Sequence, residues 1–270
     1  MKQSQAKKRD NAMTNKILMG LIALVLGLLF LEILIVHSKN EQQKNASNQV
    51  QTARIMANGD LLYHDGLYMS ALQSDGSYDF TENFTYVKPW LKQADLVLGD
   101  FEGTINPDYP LSGYPLFNAP QSVTAAIKDA GYDVMDLAHN HILDSGLEGA
   151  FTTADALKKV GIDPIGVYEK PVRDKAPLLI KNVNGIKVAI LSYAYGYNGL
   201  ESNLTDKEVA DHLSNLDEKR MKSEIQRAEK EADITVIMPQ MGVEYRLEPT
   251  DEQVKLYHKM IDWGADIIFG

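Results

Sequence analysis

Six short apolar runs, each about the length of a single β-strand, alternate along residues 53–270 with stretches of helical period. The runs are "ARIMANG" (53–59), "DLVLG" (95–99), "VMDLA" (134–138), "DPIGV" (163–167), "ITVIM" (234–238) and "DIIFG" (266–270). Helical stretches fall around 83–93, 121–130, 147–160, 214–232 and 250–263. Strands joined by helical crossovers lie parallel and bury both faces, so they read as continuous apolar runs. The alternation therefore predicts an α/β domain with a largely parallel core. One hairpin interrupts it, because "APLLIKNVNGIKVAILSY" carries Asn184-Gly185 between two apolar runs, a two-residue turn signal.

Ahead of that domain stands "ILMGLIALVLGLLFLEILIV" (17–36), twenty residues with the single charge Glu32. Twenty residues of helix rise about 30 Å, the thickness of a bilayer's hydrocarbon core. A cleaved signal peptide is the competing reading, but its apolar region usually runs about 7–15 residues and ends at small residues. Here "HSKNEQQKN" follows, without an Ala-x-Ala site, and an uncleaved transmembrane anchor is the expectation. Lys2, Lys7, Lys8, Arg9 and Lys16 precede the run, and only Lys39 and Lys44 follow it closely. Positive charge stays inside, so residues 1–16 form a cytoplasmic tail, 17–36 a single-pass cell-membrane anchor, 37–52 a flexible stalk and 53–270 an extracellular domain.

Charge and cysteine content narrow the partners. Residues 1–50 carry seven basic and three acidic side chains, a net of +4, which leaves −14 of the total −10 on residues 51–270. Such a domain repels nucleic acid and other polyanions unless a local cation intervenes. The chain has no cysteine, so no disulfide staples the exported part, and a domain of this size needs none to bury a core.

The ends of the predicted strands carry the chemistry. In open α/β sheets ligands bind in the crevice beyond the carboxyl ends of the strands. Those ends read "NGDLLYH" with Asp60 and His64, "GDFEG" with Asp100 and Glu102, "AHNH" with Asn140 and His141, and "PQMGVEY" with Gln240 and Glu244. Asp144 and Gly146 follow the third. Singly, a Gly-Asp after a strand is a common turn or helix cap. Together they gather hard oxygen and nitrogen donors suited to Mg²⁺, Mn²⁺, Fe or Zn²⁺. The asparagine oxygen could ligate, and the neighbouring imidazole could serve as acid or hydrogen-bond donor.

The stretches "ANGDLLYHDG", "GDFEGTI", "LAHNHILDSG", "MGVEY" and "GADIIFG" resemble the CapA family of poly-γ-glutamate or capsule synthesis proteins, related to calcineurin-like metallophosphoesterases. The resemblance spans about residues 53–270 and implies a sandwich of sheets flanked by helices. It implies Asp60 as a ligand of one divalent metal, Glu102 as a bridging carboxylate between two, Asn140 as a ligand of the second, and His141 as the acid-type histidine. Asp144 and Gly146 would complete the turn, with Asp144 holding the loop or capping the next helix. His64, Asp100 and Glu244 are supporting candidates. His139 stands where the family more often has asparagine and reads as a local hydrogen-bonder; His37, His212 and His258 read as stalk or surface residues.

Two departures bear on the metals. The family usually has His-Trp-Gly where this chain has Gln240-Met241-Gly242, and a neutral amide is a weaker ligand than an imidazole. The family's pattern also continues past "ADIIFG" into Gly-x-His-x-His, beyond residue 270. The expectation is a weak or incomplete metal site within these residues. What the resemblance implies in function is synthesis or attachment of an extracellular polymer. The domain would work by metal-assisted hydrolysis or transfer at a phosphoester, acyl or amide bond, on an anionic polymer or phosphoester substrate. The other reading is a non-catalytic accessory or scaffold subunit of a membrane polymer synthase or export complex.

Overall fold

The computed structural model describes residue 28 and residues 31–39, 50–172 and 175–270. The chain divides into two compact units, Met1–Gln51 and Thr52–Gly270. In the first, residues 31–39 are helical, which carries helix three residues into the predicted stalk. The predicted tail (1–16) and most of the predicted anchor and stalk lie outside the described residues. Among the described residues no helix is long and apolar enough to cross a membrane.

The second unit is built on two four-stranded sheets. The first contains β1 (Ile55–Asp60), β2 (Leu96–Asp100), β3 (Val134–Asp136) and β4 (Asp163–Ile165), in that order and all parallel. The second contains β5 (Leu179–Val183), β6 (Ile186–Ala194), β7 (Ile234–Gln240) and β8 (Ile267–Ile268). Here β5 and β6 form the antiparallel hairpin expected at Asn184-Gly185, and β6, β7 and β8 run parallel. Both turn residues take positive φ, 53° and 90°, which only a type I′ turn asks of both central positions. The expectation of a largely parallel core holds, but the strands divide between two sheets.

Side-chain alternation assigns the layers. Leu96 and Leu98 of β2 and Val134 of β3 pack with Val188, Ile190, Val236 and Met238 of the second sheet, so the sheets share an apolar interior. The intervening positions face outward. Val97 and Met135 meet α3 (Val123–Ala130) and α4 (Gly146–Lys159), through Ile127, Ala130, Ala154 and Leu157. Ala189, Leu191, Tyr193 and Ile237 meet α6 (Glu218–Glu231) and α7 (Asp251–Trp263), through Met221, Ile225, Leu256 and Met260. The result is a sandwich of helix, sheet, sheet and helix layers. A fully buried aliphatic side chain contributes about 1.5–3 kcal/mol, so the dry interface between the sheets is a main source of stability.

Some predicted elements differ. The helix expected over 83–93 is a 3₁₀ turn (Thr81–Phe84) and a single helical turn, α2 (Lys88–Leu91). Pro89 sits in that turn's first positions, where its missing N–H costs nothing. The helix expected over 214–232 begins at Glu218, where Asp217 caps it by accepting from the Arg220 N–H. Two short helices were not anticipated: α1 (Asp65–Ala71) and α5 (Asp206–His212).

Candidate functional site

Parallel register brings the acidic strand ends together. Asp60 at the end of β1 stands beside Asp100 at the end of β2, and Asp100 beside Asp136 at the end of β3. All three, with Gln240 from β7, line a cavity of about 400 Å³ at the rim of the two sheets. A neighbouring crevice of about 520 Å³ is lined by Asp60, Glu102, Asn140, Gln240 and Glu244, together with Tyr195 and Arg246. Asp60 belongs to both spaces.

The carboxyls crowd one another. Burial pushes Asp100 well above the ordinary carboxylate range, and the charges of Asp136, Asp60 and Glu102 push it further. Burial raises Glu102 to about 8, helped by a hydrogen bond with Asp60 and the charge of Asp60 beside it. Asp136, which sequence reading placed inside an apolar run, rises to about 8 through burial, although it accepts from the Ala138 N–H at 2.7 Å. One oxygen of Asp100, Oδ1, is buried without a hydrogen-bond partner. A cation or a proton is what such a cluster lacks.

The loop carrying Glu102 is held from behind. Thr104 Oγ1 donates to the Phe117 carbonyl at 2.8 Å and accepts from Ser145 Oγ at 2.8 Å. Asn118 Oδ1 accepts from the Asn106 N–H at 2.7 Å. Glu102 is therefore presented by a fixed backbone. The loop after β7 is less anchored; Gln253 of α7 donates to the Met241 carbonyl at 3.1 Å, while Tyr245 and Leu247 stand almost fully exposed.

The histidine loop has its own network. Asp144 Oδ2 accepts from the Phe117 N–H at 2.6 Å and faces His141 Nδ1 at 2.7 Å. Asp144 thus holds the loop. The cap position of α4 is Ser145, which makes no side-chain capping bond. His141 packs edge-on against Phe117, and it is absent from the lining of the crevice. Its neighbour Asn198, which sequence reading missed, places Nδ2 at 3.4 Å from His141 Nε2 and accepts from Asn140 Nδ2 at 3.1 Å. Asn198 has a φ of 54° in an Asn-Gly turn just past β6, the kind of turn that could have drawn notice to it. His139 is fully buried, accepts from the His141 N–H at 3.2 Å, and is pushed by burial down to about 3, so it stays neutral. His64 pairs with Asp65 at 2.5 Å and meets Phe117 edge-on, and it lines neither of the two acidic spaces. Gly146 takes a φ of 75° in the turn that opens α4, where a side chain would be strained.

Gln240 has a specific occupation. Its Oε1 accepts from the Asn140 N–H at 2.7 Å, and its Nε2 donates to Asn140 Oδ1 at 2.9 Å. The oxygen expected to ligate a second metal is therefore already hydrogen-bonded. Among the described residues no group of three or more His, Asp or Glu side chains is arranged to hold an ion. The oxygen donors of Asp60, Asp100 and Glu102 suit one hard divalent cation in chemistry, and the unpaired Asp100 oxygen points the same way. The set as it stands does not fit two ions.

Residues 54–270 match the model of a family described as "Bacterial capsule synthesis protein PGA_cap". The chain belongs to that family. A capsule biosynthesis protein CapA of Bacillus anthracis is 32% identical over 196 residues, covering 69% of this chain and 47% of that protein. The PGA biosynthesis protein CapA of Bacillus subtilis (strain 168) is 27% identical over 266 residues, covering 97% of this chain and 68% of that protein. The match to the first thus spans about half of that relative's length. Among solved structures, a Staphylococcus aureus protein assigned as a 5'-nucleotidase, in complex with alpha-ketoglutarate, superposes with a TM-score of 0.51 at 16% identity. That superposition covers 80% of this chain and 44% of that one and shows the fold alone. The sandwich is the architecture that the resemblance to calcineurin-like phosphoesterases implied.

Proposed function

We propose that this PGA_cap chain is a membrane-anchored, outward-facing protein that acts on an extracellular capsule polymer such as poly-γ-glutamate. Its acidic rim would hold one divalent cation, for hydrolysis or transfer at a phosphoester, acyl or amide bond. The observation that carries the proposal is that Asp60 is shared by two adjoining spaces, beside Asp100 in one and Glu102 in the other, with Glu102 raised to about 8. Carboxyls that repel one another this strongly at an open rim favour a cation over solvent. When bound, the cation would polarise the oxygen of the scissile group. The chain's own residues do the rest. Asp60 and Glu102 present oxygens into the crevice, and Asn140 and Gln240 form its wall. Asp144 orients His141 through Nδ1, and Asn198 faces its Nε2, outside the lining of the crevice. Membrane polymer synthase or export subunits are the expected partners.

A second reading is a scaffold subunit that kept the sandwich without the chemistry, and the Asn140–Gln240 pairing favours it. The readings part on one experiment. In cells depleted of the native protein, the chain carrying Asp60→Asn with Glu102→Gln should be exported normally yet yield no surface polymer. Normal polymer from the double variant would reject the catalytic reading in favour of the scaffold.

A further inference from the structure

Helix α6 sorts its charges by side. Glu218 accepts from Lys259 of α7 at 2.7 Å, Glu229 accepts from Thr235 Oγ1 at 2.9 Å, and Glu224 is buried against Arg220 and Tyr193. The lysines go elsewhere. Lys219, Lys222 and Lys230, with Gln226 between them, recur at spacings of three and four, so they share one face of the helix. All three lysines are exposed, and none makes an ion pair among the described residues. This face lines a groove of about 840 Å³, to which Lys175 and Asn215 contribute from outside the helix.

An ordinary solvated face would intersperse both signs in i,i+4 pairs. The same helix does this on its flank, with Arg220–Glu224 and Arg227–Glu231. The lysine face instead leaves three like charges without an ion pair on a domain whose net charge is −14 by sequence; of the two carboxylates lining the groove, Glu224 is engaged by Arg220 and Asp217 caps the helix. An array of this kind is stabilised by a ligand that brings the opposite charge along a line. We propose that the groove beside α6 binds a linear polycarboxylate.

Shape and charge type support that occupant. A groove accepts a strand, whereas a membrane surface presents a broad face. Both arginines in the lining are engaged, Arg220 with Glu224 and Arg227 with the Ala176 carbonyl, so no free guanidinium fork offers the bidentate geometry that phosphates prefer. Lysine ammonium groups act as point charges and suit a repeating carboxylate. From Lys219 to Lys230 the helix rises about 16 Å, the reach of about five residues of extended polypeptide. The choice of carboxylate as the anion rests on the function proposed above; the groove itself does not.

The test uses the full chain and fluorescent poly-L-glutamate, read by anisotropy. Binding should weaken steeply with added salt, because its partners are solvent-exposed charges. The Lys219→Glu, Lys222→Glu, Lys230→Glu variant should lose at least tenfold in affinity, and the matching triple glutamine variant should lose less. A control with Lys92→Glu, Lys159→Glu and Lys255→Glu changes net charge equally away from the groove and should bind nearly as well as the parent chain. Asp60→Asn with Glu102→Gln should bind normally, which separates the groove from the acidic rim. Equal weakening by both triple reversals, or binding lost at the rim variant and kept in the lysine variant, would overturn the proposal. So would lysine-dependent binding seen only with polyphosphate or with phosphatidylglycerol vesicles.

Discussion

At the scale of single residues, the chemistry of the rim turns on one amide. Gln240 spends both ends of its side chain on Asn140. A neutral hydrogen bond contributes about 0.5–1.5 kcal/mol net, so a cation that claimed the Asn140 oxygen would have to break a stabilising pair. Replacing Gln240 with histidine should free that oxygen and add an imidazole donor. Calorimetric titration with Mn²⁺ should then show affinity raised at least tenfold over the parent chain; unchanged affinity would mean that Gln240 does not limit the site. Much of this neighbourhood was legible before the fold was known. Asp60, Glu102, Asn140 and Gln240 each follow an apolar run, and carboxyl ends of parallel strands share one rim. Asp136 was not legible, because a lone aspartate inside "VMDLA" looks like the interior of a strand. Burial favours its protonated form, and it is held there by hydrogen bonds from the backbone of Ala138 and Leu137 and from Ser192. Asn198 was hidden for another reason: its partners, Asn140 and His141, lie 58 and 57 residues away, and no local pattern links them.

Among elements, the attachment of α6 to β6 combines apolar packing with a buried polar network. Tyr193 donates to Glu224 at 2.8 Å, and Glu224 accepts from Arg220 at 2.9 Å while Arg220 lies over the Tyr168 ring. Tyr193→Phe removes the donor and leaves a buried carboxylate oxygen short of one partner, at a cost of about 1–3 kcal/mol. Burial and the Glu224 charge hold the Tyr193 hydroxyl well above 10, and burial raises Tyr63 and Tyr197 as well. A group whose folded pKa is raised contributes stability that is complete below its unfolded value and lost as pH climbs through the folded one. Thermal unfolding should therefore be insensitive to these tyrosines up to about pH 10 and fall steeply beyond it. Tyr193→Phe should lower the melting temperature at neutral pH and flatten the alkaline fall. An alkaline limb of the same slope in the variant would remove Tyr193 from the account. Helix α5 shows what sequence could have offered and did not: Thr205 and Glu208 form a complete capping box. The charged run that follows it, "DKEVADH", hides any apolar stripe. The 83–93 stretch erred the other way, since its apolar residues suggested a helix that its backbone breaks into two short turns.

For the molecule as a whole, alternation of strands and helices announced the class but could not say which sheet each strand would join. The central strands β2, β3 and β7 are buried on both faces, and the choice between one sheet of eight and two of four depends on contacts distant in sequence. The dry layer between the sheets makes the domain a single cooperative body. Leu98, fully buried there, should cost about 2–5 kcal/mol as Leu98→Ala. At about 2–4 °C per kcal/mol for a domain of this size, the melting temperature should fall by at least about 4 °C in one transition. Two separated transitions would show the halves of the sandwich unfolding independently. The parallel register described above also has an evolutionary reading. Residues that hold the layers together lie inside the strands, whereas residues that face the rim lie at the strands' carboxyl ends, as Asp60, Asp100 and Gln240 do, or just beyond them, as Glu102 and Asn140 do. Substitutions at those ends, where Gln240 presents an amide, leave the interior undisturbed, so a lineage can change what the rim accepts while inheriting its architecture intact.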